Sequence, residues 1–226
     1  MARDVHLLAA GVAPGRATSD VDVAVIVRSW AAFDESQTAL VKTGQLVKLT
    51  MAQRLRGKGA LEGRQLDIVP FGGGVKDEDS MIRWPPDAAI VMSVAGFDEA
   101  FESSVTCNLD GLEVRVASAA GLGILKLIAW RDRRGETTKD AVDFENLLRS
   151  YEYIVGSDRL YGPDFETLER SGFEPGPAAA WLLGSDMRTI ASPSTLTTLR
   201  ATMSSGILAD MPGAFVDDGS LTGLRD

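Results

Sequence analysis

The chain has 226 residues, of which 45% are hydrophobic and 24% charged, and its formal net charge is −9. That balance describes one ordinary globular domain or two small ones, able to bury a core, and excludes a protein whose whole surface binds nucleic acid, which needs an excess of Lys and Arg. The single cysteine, Cys107, excludes an internal disulfide framework and fits a reducing cytosol, and no apolar run approaches the roughly 18 residues that span a bilayer. No signal peptide and no membrane partner are expected, and the expected location is cytoplasmic.

Asp4 to Gly11 reads as a short helix closed by Gly11. Ala13-Pro14-Gly15 is a loop, and the β-branched run Val21 to Val27 is a strand. Ala39 to Leu49 fits helix or strand. Leu66 to Phe71 is a second strand, ended by Gly72-Gly73-Gly74, and Pro85-Pro86 marks a loop. Ser104 to Asn108 and Leu112 to Val116 flank Leu109-Asp110-Gly111, a hairpin signal. Ser118 caps an apolar helix to about Arg133, and Thr138 caps another to about Tyr153. Ala178 to Ile190 and Ser194 to Met203 are further helices, and the last dozen residues, rich in Gly and Asp, read as loose. Strands dominate before about residue 117 and helices after it, which predicts an α+β protein with residues 1–117 as core and 118–226 as a mainly helical region.

The chemistry concentrates in Asp20-Val21-Asp22, at the start of the first strand. Alternating side chains place both carboxylates on one face, with Cα atoms about 6–7 Å apart. With no Lys or Arg beside them they repel unless a cation intervenes, and Mg²⁺ takes such hard oxygen ligands together with substrate phosphates. An isolated Asp-x-Asp also serves simply to start a strand and solvate a loop. Asp67 lies in the apolar strand Gln65-Leu66-Asp67-Ile68-Val69-Pro70-Phe71, where a carboxylate is costly without a partner. A neighbouring strand would bring it beside Asp20 and Asp22, as a two-metal phosphoryl-transfer site requires; a rim aspartate at a strand end is the plainer alternative. Lys126 sits in an apolar helix and either snorkels to water or reaches a phosphate. Asp140 and Asp143 share a helix face near its N-terminus, where they complement the dipole.

Arg-x-Thr-x-Asp-Val-Asp (from Arg16), Leu-Asp-Ile-Val-Pro-Phe-Gly-Gly (from Leu66), Lys-Leu-x-Ala-Trp-x-x-Arg (from Lys126) and Lys-Asp-x-x-Asp (from Lys139) occur in this order. The set resembles the AbiEii-type nucleotidyltransferase-like proteins of the DNA polymerase beta-like nucleotidyltransferase superfamily, over roughly residues 2–150. The resemblance implies a small mixed sheet flanked by helices, with a helical region behind it. It implies Mg²⁺ or Mn²⁺, a nucleoside triphosphate as substrate, and transfer of a nucleotidyl group to an acceptor. In several relatives the result is the toxin of a toxin–antitoxin pair, with a transfer RNA or a protein as acceptor and an antitoxin as partner. By the same resemblance Asp20, Asp22 and Asp67 would be metal ligands, Arg16, Thr18 and Lys126 would contact the nucleotide, and Asp140 would act on the acceptor or support Lys126. The family opens with an apolar strand, a glycine turn and a helix that offer backbone N–H groups to the phosphates. Ala2-Arg3-Asp4 resembles the inside of that helix, so the strand and turn are expected to be missing here and the chain to start downstream of them. A catalytically inactive descendant that binds nucleotide, metal or a partner protein is the alternative. A metal-dependent phosphohydrolase with water as acceptor is a third.

The remaining candidates have plainer readings. Gly72-Gly73-Gly74 would let a phosphate approach closely, or simply turn the chain. His6 is the only histidine, which leaves little material for a His-based site. Cys107, Trp130, Trp181 and Phe144 read as core, and Arg131, Arg133 and Arg134 as solvated helix-end charges.

Overall fold

A computed structural model of the chain describes residues 2–13 and 20–206. The protein is a mixed α+β structure with small sheets, and its described residues fall into two compact units, one within 15–97 and the other within 2–14 and 98–226. The chain opens with α1 (Ala2–Ala9), part of the second unit. It ends as its glycine suggests: Gly11 has φ 74°, and Val12 N–H returns to Leu7 C=O at 2.8 Å.

The first unit holds β1 (Asp20–Ile26), α2 (Trp30–Lys42), β2 (Leu46–Lys48), β3 (Arg54–Gly57), β4 (Gln65–Phe71), β5 (Met81–Arg83) and β6 (Val91–Ser93). Four strands form a sheet in the order β1-β4-β3-β2, parallel between β1 and β4 and antiparallel elsewhere. Leu55, Ile68 and Phe33 are buried. The side-chain amide of Gln37, buried on α2, donates to Ala52 C=O at 2.7 Å. Helix α2 begins where Ser29 Oγ accepts from Ala32 N–H, and the ambiguous stretch from Ala39 divides into the end of α2 and strand β2.

The second unit continues with α3 (Phe97–Glu102), β7 (Val105–Leu109), β8 (Leu112–Val116), α4 (Ala119–Arg133), α5 (Lys139–Val155), α6 (Ser157–Leu160), α7 (Phe165–Arg170), α8 (Pro175–Ile190) and α9 (Pro193–Ser204). Asp110 and Gly111 both take positive φ, the primed turn that the hairpin signal implies. Ser118 caps α4 by accepting from Gly121 N–H at 3.0 Å. At α5 the expected cap is displaced by one residue. Thr138 makes no side-chain cap bond, and Thr137 Oγ1 accepts from Lys139 N–H instead. Helices α8 and α9 start earlier than expected because Pro175 and Pro193 fit the first helical turn, where no N–H is needed. Ile124, Leu127 and Ile128 on α4 and Phe144, Leu147 and Leu148 on α5 repeat at helical spacing and bury one face of each helix. Leu182, Leu183 and Met187 complete this core from α8. Gly123 permits a close approach, since a Cβ there would lie 2.7 Å from Met187 Sδ. No described helix is long and apolar enough to cross a membrane.

Two polar clusters tie the helices together. Asp186 on α8 accepts both Arg159 Nη groups at 2.7 and 2.8 Å and the Tyr151 hydroxyl. Burial, reinforced by that hydrogen bond, pushes the Tyr151 phenol well above its usual range. Glu99 on α3 accepts from Ser192 N–H, Ser192 Oγ–H and Thr195 Oγ1–H, so it clamps the start of α9. Burial alone would raise its pKa, but the hydrogen bonds from Ser192 and Thr195 prevail and hold it below 4.5. A carboxylate with a depressed folded pKa stabilises above its unfolded pKa and loses that contribution as pH falls through its folded one. Urea midpoints should therefore fall more steeply below about pH 4.5 in the parent than in Glu99→Gln, which has no proton to bind. Parallel curves would remove Glu99 as an acid-sensitive clamp.

Candidate functional site

Strand pairing assembles the acidic face. The parallel register aligns Asp20 with Gln65 and Asp22 with Asp67. The antiparallel register of β3 on β4 sets Arg56 beside Gln65 and Arg54 beside Asp67. Residues in register share a face, with strands about 4.8 Å apart. The result is two cross-strand rows on one face, Asp20–Gln65–Arg56 and Asp22–Asp67–Arg54.

Arg54 organises this face. Its Nε donates to Asp67 Oδ1 at 2.7 Å and its Nη2 to Asp67 Oδ2 at 2.6 Å, a two-pronged pair with side chains only 31% and 17% exposed. The hydrogen bond to Asp67 raises the Arg54 guanidinium above its usual pKa against the opposing effect of burial, and the charges of Asp67, Asp20 and Asp22 add to it. Gln65 Nε2 donates to Asp20 Oδ1 at 3.1 Å. The sequence reading of carboxylates without a compensating cation is thus corrected. The cation comes from β3, thirteen residues before Asp67, and spares it the cost of an unpaired half-buried carboxylate.

Among the described residues no group of three or more His, Cys, Asp or Glu side chains is arranged to hold a metal ion. Asp20 and Asp22 place carboxylate oxygens at successive positions of one strand face, where Asp20 already accepts from Gln65, and both Asp67 oxygens are engaged by Arg54. The donor chemistry suits Mg²⁺ or Mn²⁺ at Asp20 and Asp22, and Asp67 could join only by exchanging Arg54 for the ion. Arg16 and Thr18 lie outside the described residues.

In the second unit, Lys126 and Asp140 do come together. Lys126 Nζ lies 3.5 Å from Asp140 Oδ1 and 2.6 Å from Asp143 Oδ2, and Arg133 Nη2 donates to Asp140 Oδ2 at 2.7 Å. Two cations and two carboxylates balance around the buried Asp140, so Arg133 is an ion-pair partner where a solvated helix-end charge was expected. Arg131 pairs with Asp132, and Arg134 donates to Arg131 C=O.

The glycine run after β4 serves packing first. A Cβ on Gly74 would lie 2.3 Å from Arg28 C and O, so this loop lies directly on the β1–α2 connection. It also borders an open cleft of about 260 Å³ with Trp30, Lys76 and Arg83, at the opposite end of β1 and β4 from the acidic rows. His6 Nε2 is 2.8 Å from Ala117 C=O, a structural contact. Trp130 and Phe144 are buried as expected, while Cys107 and Trp181 are only half-buried.

Arg54 is the residue of this face that the sequence did not single out. Its signal was the alternation Arg54-Leu55-Arg56, which turns Leu55 inward and both arginines to the carboxylate side. No family model, no curated protein and no solved structure matches the chain.

Proposed function

We propose that the face carrying Asp20, Asp22 and Asp67 is a divalent-metal-dependent nucleotidyl-transfer site on a nucleotidyltransferase-like sheet. The observation that carries this reading is the parallel register, which sets Asp22 opposite Asp67 with Asp20 two residues earlier on the same face. Asp20 and Asp22 would hold Mg²⁺ or Mn²⁺, which when bound supplies charge neutralisation at the triphosphate. The acceptor oxygen attacks the α-phosphorus, the P–O bond to the β-phosphate breaks, and pyrophosphate leaves. Asp67, released from Arg54, takes the acceptor's proton. Arg54, so displaced, presents a planar fork that suits a phosphate. The acceptor belongs to this proposal as a transfer RNA or a protein, and the setting as a toxin held by an antitoxin. Lys126 as a phosphate contact with Asp140 behind it is part of the same proposal, motivated by the family resemblance.

A second reading, a non-catalytic binding protein, is favoured by the saturation of Asp67 by Arg54. Calorimetric titration of ATP, GTP, CTP and UTP with Mg²⁺ separates the two, with Asp20→Asn/Asp22→Asn as control. Labelled α-phosphate is followed into RNA and protein of a bacterial extract. Transfer requires binding that the variant loses at least about tenfold, and label attached to an acceptor. Binding without attached label supports the binding protein, and free nucleoside monophosphate points to hydrolysis. No binding of any nucleotide by either chain would sink the transferase reading.

A further inference from the structure

The second unit displays an aromatic patch that its own core does not use. Phe165, at the start of α7, is 41% exposed, and Phe173, just past its end, is 60% exposed. Their rings stand 6.1 Å apart between centroids, tilted by 60°. Tyr161, in the preceding turn, is also 60% exposed.

The backbone holds Phe173 there under strain. Helix α7 closes with Gly172 at φ 67°, whose N–H reaches Glu169 C=O at 3.0 Å, while Phe173 N–H reaches Leu168 C=O at 2.9 Å. This closure needs one left-handed residue, and glycine provides it. Phe173 adopts φ 64° as well, a conformation that costs a bulky side chain steric strain. Burial does not repay the cost, because the ring stays mostly in water.

The surroundings are acidic. Residues 157–174 contain the carboxylates Asp158, Asp164, Glu166, Glu169 and Glu174 against two arginines. Both arginines are engaged within the unit, Arg159 by Asp164 and Asp186 and Arg170 by Glu166. Asp158, Glu169 and Glu174 are exposed and form no ion pair among the described residues. A second copy would bring the same acidic rim against itself, and an anionic membrane or a nucleic acid would be repelled. A basic partner is attracted.

We propose that Tyr161, Phe165 and Phe173, rimmed by Asp158, Glu169 and Glu174, form a docking surface for a basic amphipathic segment of a partner protein, one that lays apolar side chains on the rings and Lys or Arg against the rim. This surface is independent of the acidic sheet face and of the nucleotidyl-transfer reading.

Fluorescence anisotropy on the full chain tests it with three labelled peptides. One has Leu and Lys at helical spacing, one has Glu in place of Lys, and one is the Lys peptide scrambled so that the apolar face is lost. The variant is Phe165→Ala/Phe173→Asn, because asparagine accepts left-handed backbone and keeps the end of α7 intact; a melting temperature no lower than the parent's and an unchanged circular dichroism spectrum verify its fold. The ordered Lys peptide should bind the parent, weaken with added salt, and bind the variant at least about tenfold more weakly. Equal binding of the scrambled peptide, or binding unaffected in the variant, would overturn the proposal. Self-association of the parent by sedimentation, or its binding to anionic vesicles, would do the same if lost in the variant, because the occupant would then be another copy or a lipid surface.

Discussion

Arg54→Ala should destabilise the first unit by about 2–3 kcal/mol, less than the roughly 3–5 kcal/mol for breaking a fully buried pair, because both side chains keep some contact with solvent. The loss comes mainly from what is left behind. Asp67 keeps its half-buried position without either charge-assisted hydrogen bond, opposite Asp22 in the same row. Removing the carboxylate too, as Arg54→Ala/Asp67→Leu, should restore most of the stability, since the cost lies in the unpaired charge. Mg²⁺ should likewise recover part of the loss in Arg54→Ala, by standing where the guanidinium stood, and should fail to do so in Arg54→Ala/Asp22→Asn. Urea denaturation with and without Mg²⁺ measures all of this. A loss below about 0.5 kcal/mol would mean that Arg54 and Asp67 behave as an ordinary solvent-screened pair.

Gly74→Ala should cost about 3 kcal/mol, whereas Gly73→Ala beside it should stay within about 0.5 kcal/mol. The added methyl at Gly74 would meet Arg28 C and O at 2.3 Å and Arg28 Cα at 2.7 Å. These are backbone atoms at the turn between β1 and α2, and they cannot rotate away as a side chain would. At Gly73 the same methyl meets nothing within 4 Å and the backbone is not left-handed. Urea midpoints of the two variants give a direct comparison. Equal and small shifts would refute the close approach of the glycine loop to the β1–α2 connection.

The elements legible in the sequence were those whose signal is local. β1 and β4 announce themselves by β-branched runs, the β7–β8 hairpin by Asp110-Gly111, and α4 by Ser118 before an apolar helix. Strand β3 has no such signal. Its four residues hold one inward leucine, and they are a strand because β2 and β4 pair with them on either side. Arg54 was hidden with it, since its role depends on a partner thirteen residues away across a strand pair. The three carboxylates were readable as residues and as strand positions. That Asp22 faces Asp67 follows from a parallel register, which no short stretch of chain encodes. The glycine run was visible as a place of close approach, but what approaches Gly74 is the protein's own backbone.

The division of the second unit between residues 2–14 and 98–226 gives the chain an order of events during its synthesis. Helix α1 packs on α4 and α5, and α5 ends at Val155. At about 5–20 residues per second, a ribosome takes on the order of 7–30 s to travel from Ala9 to Val155. Eight residues are too few to hold a helix alone in water, so α1 waits without its partners through that interval. All of 15–97 emerges meanwhile, with every strand of the acidic sheet. A ribosome-bound chain can thus complete the carboxylate face while α1 is still unplaced, and α1 finds its seat only once α4 and α5 have followed.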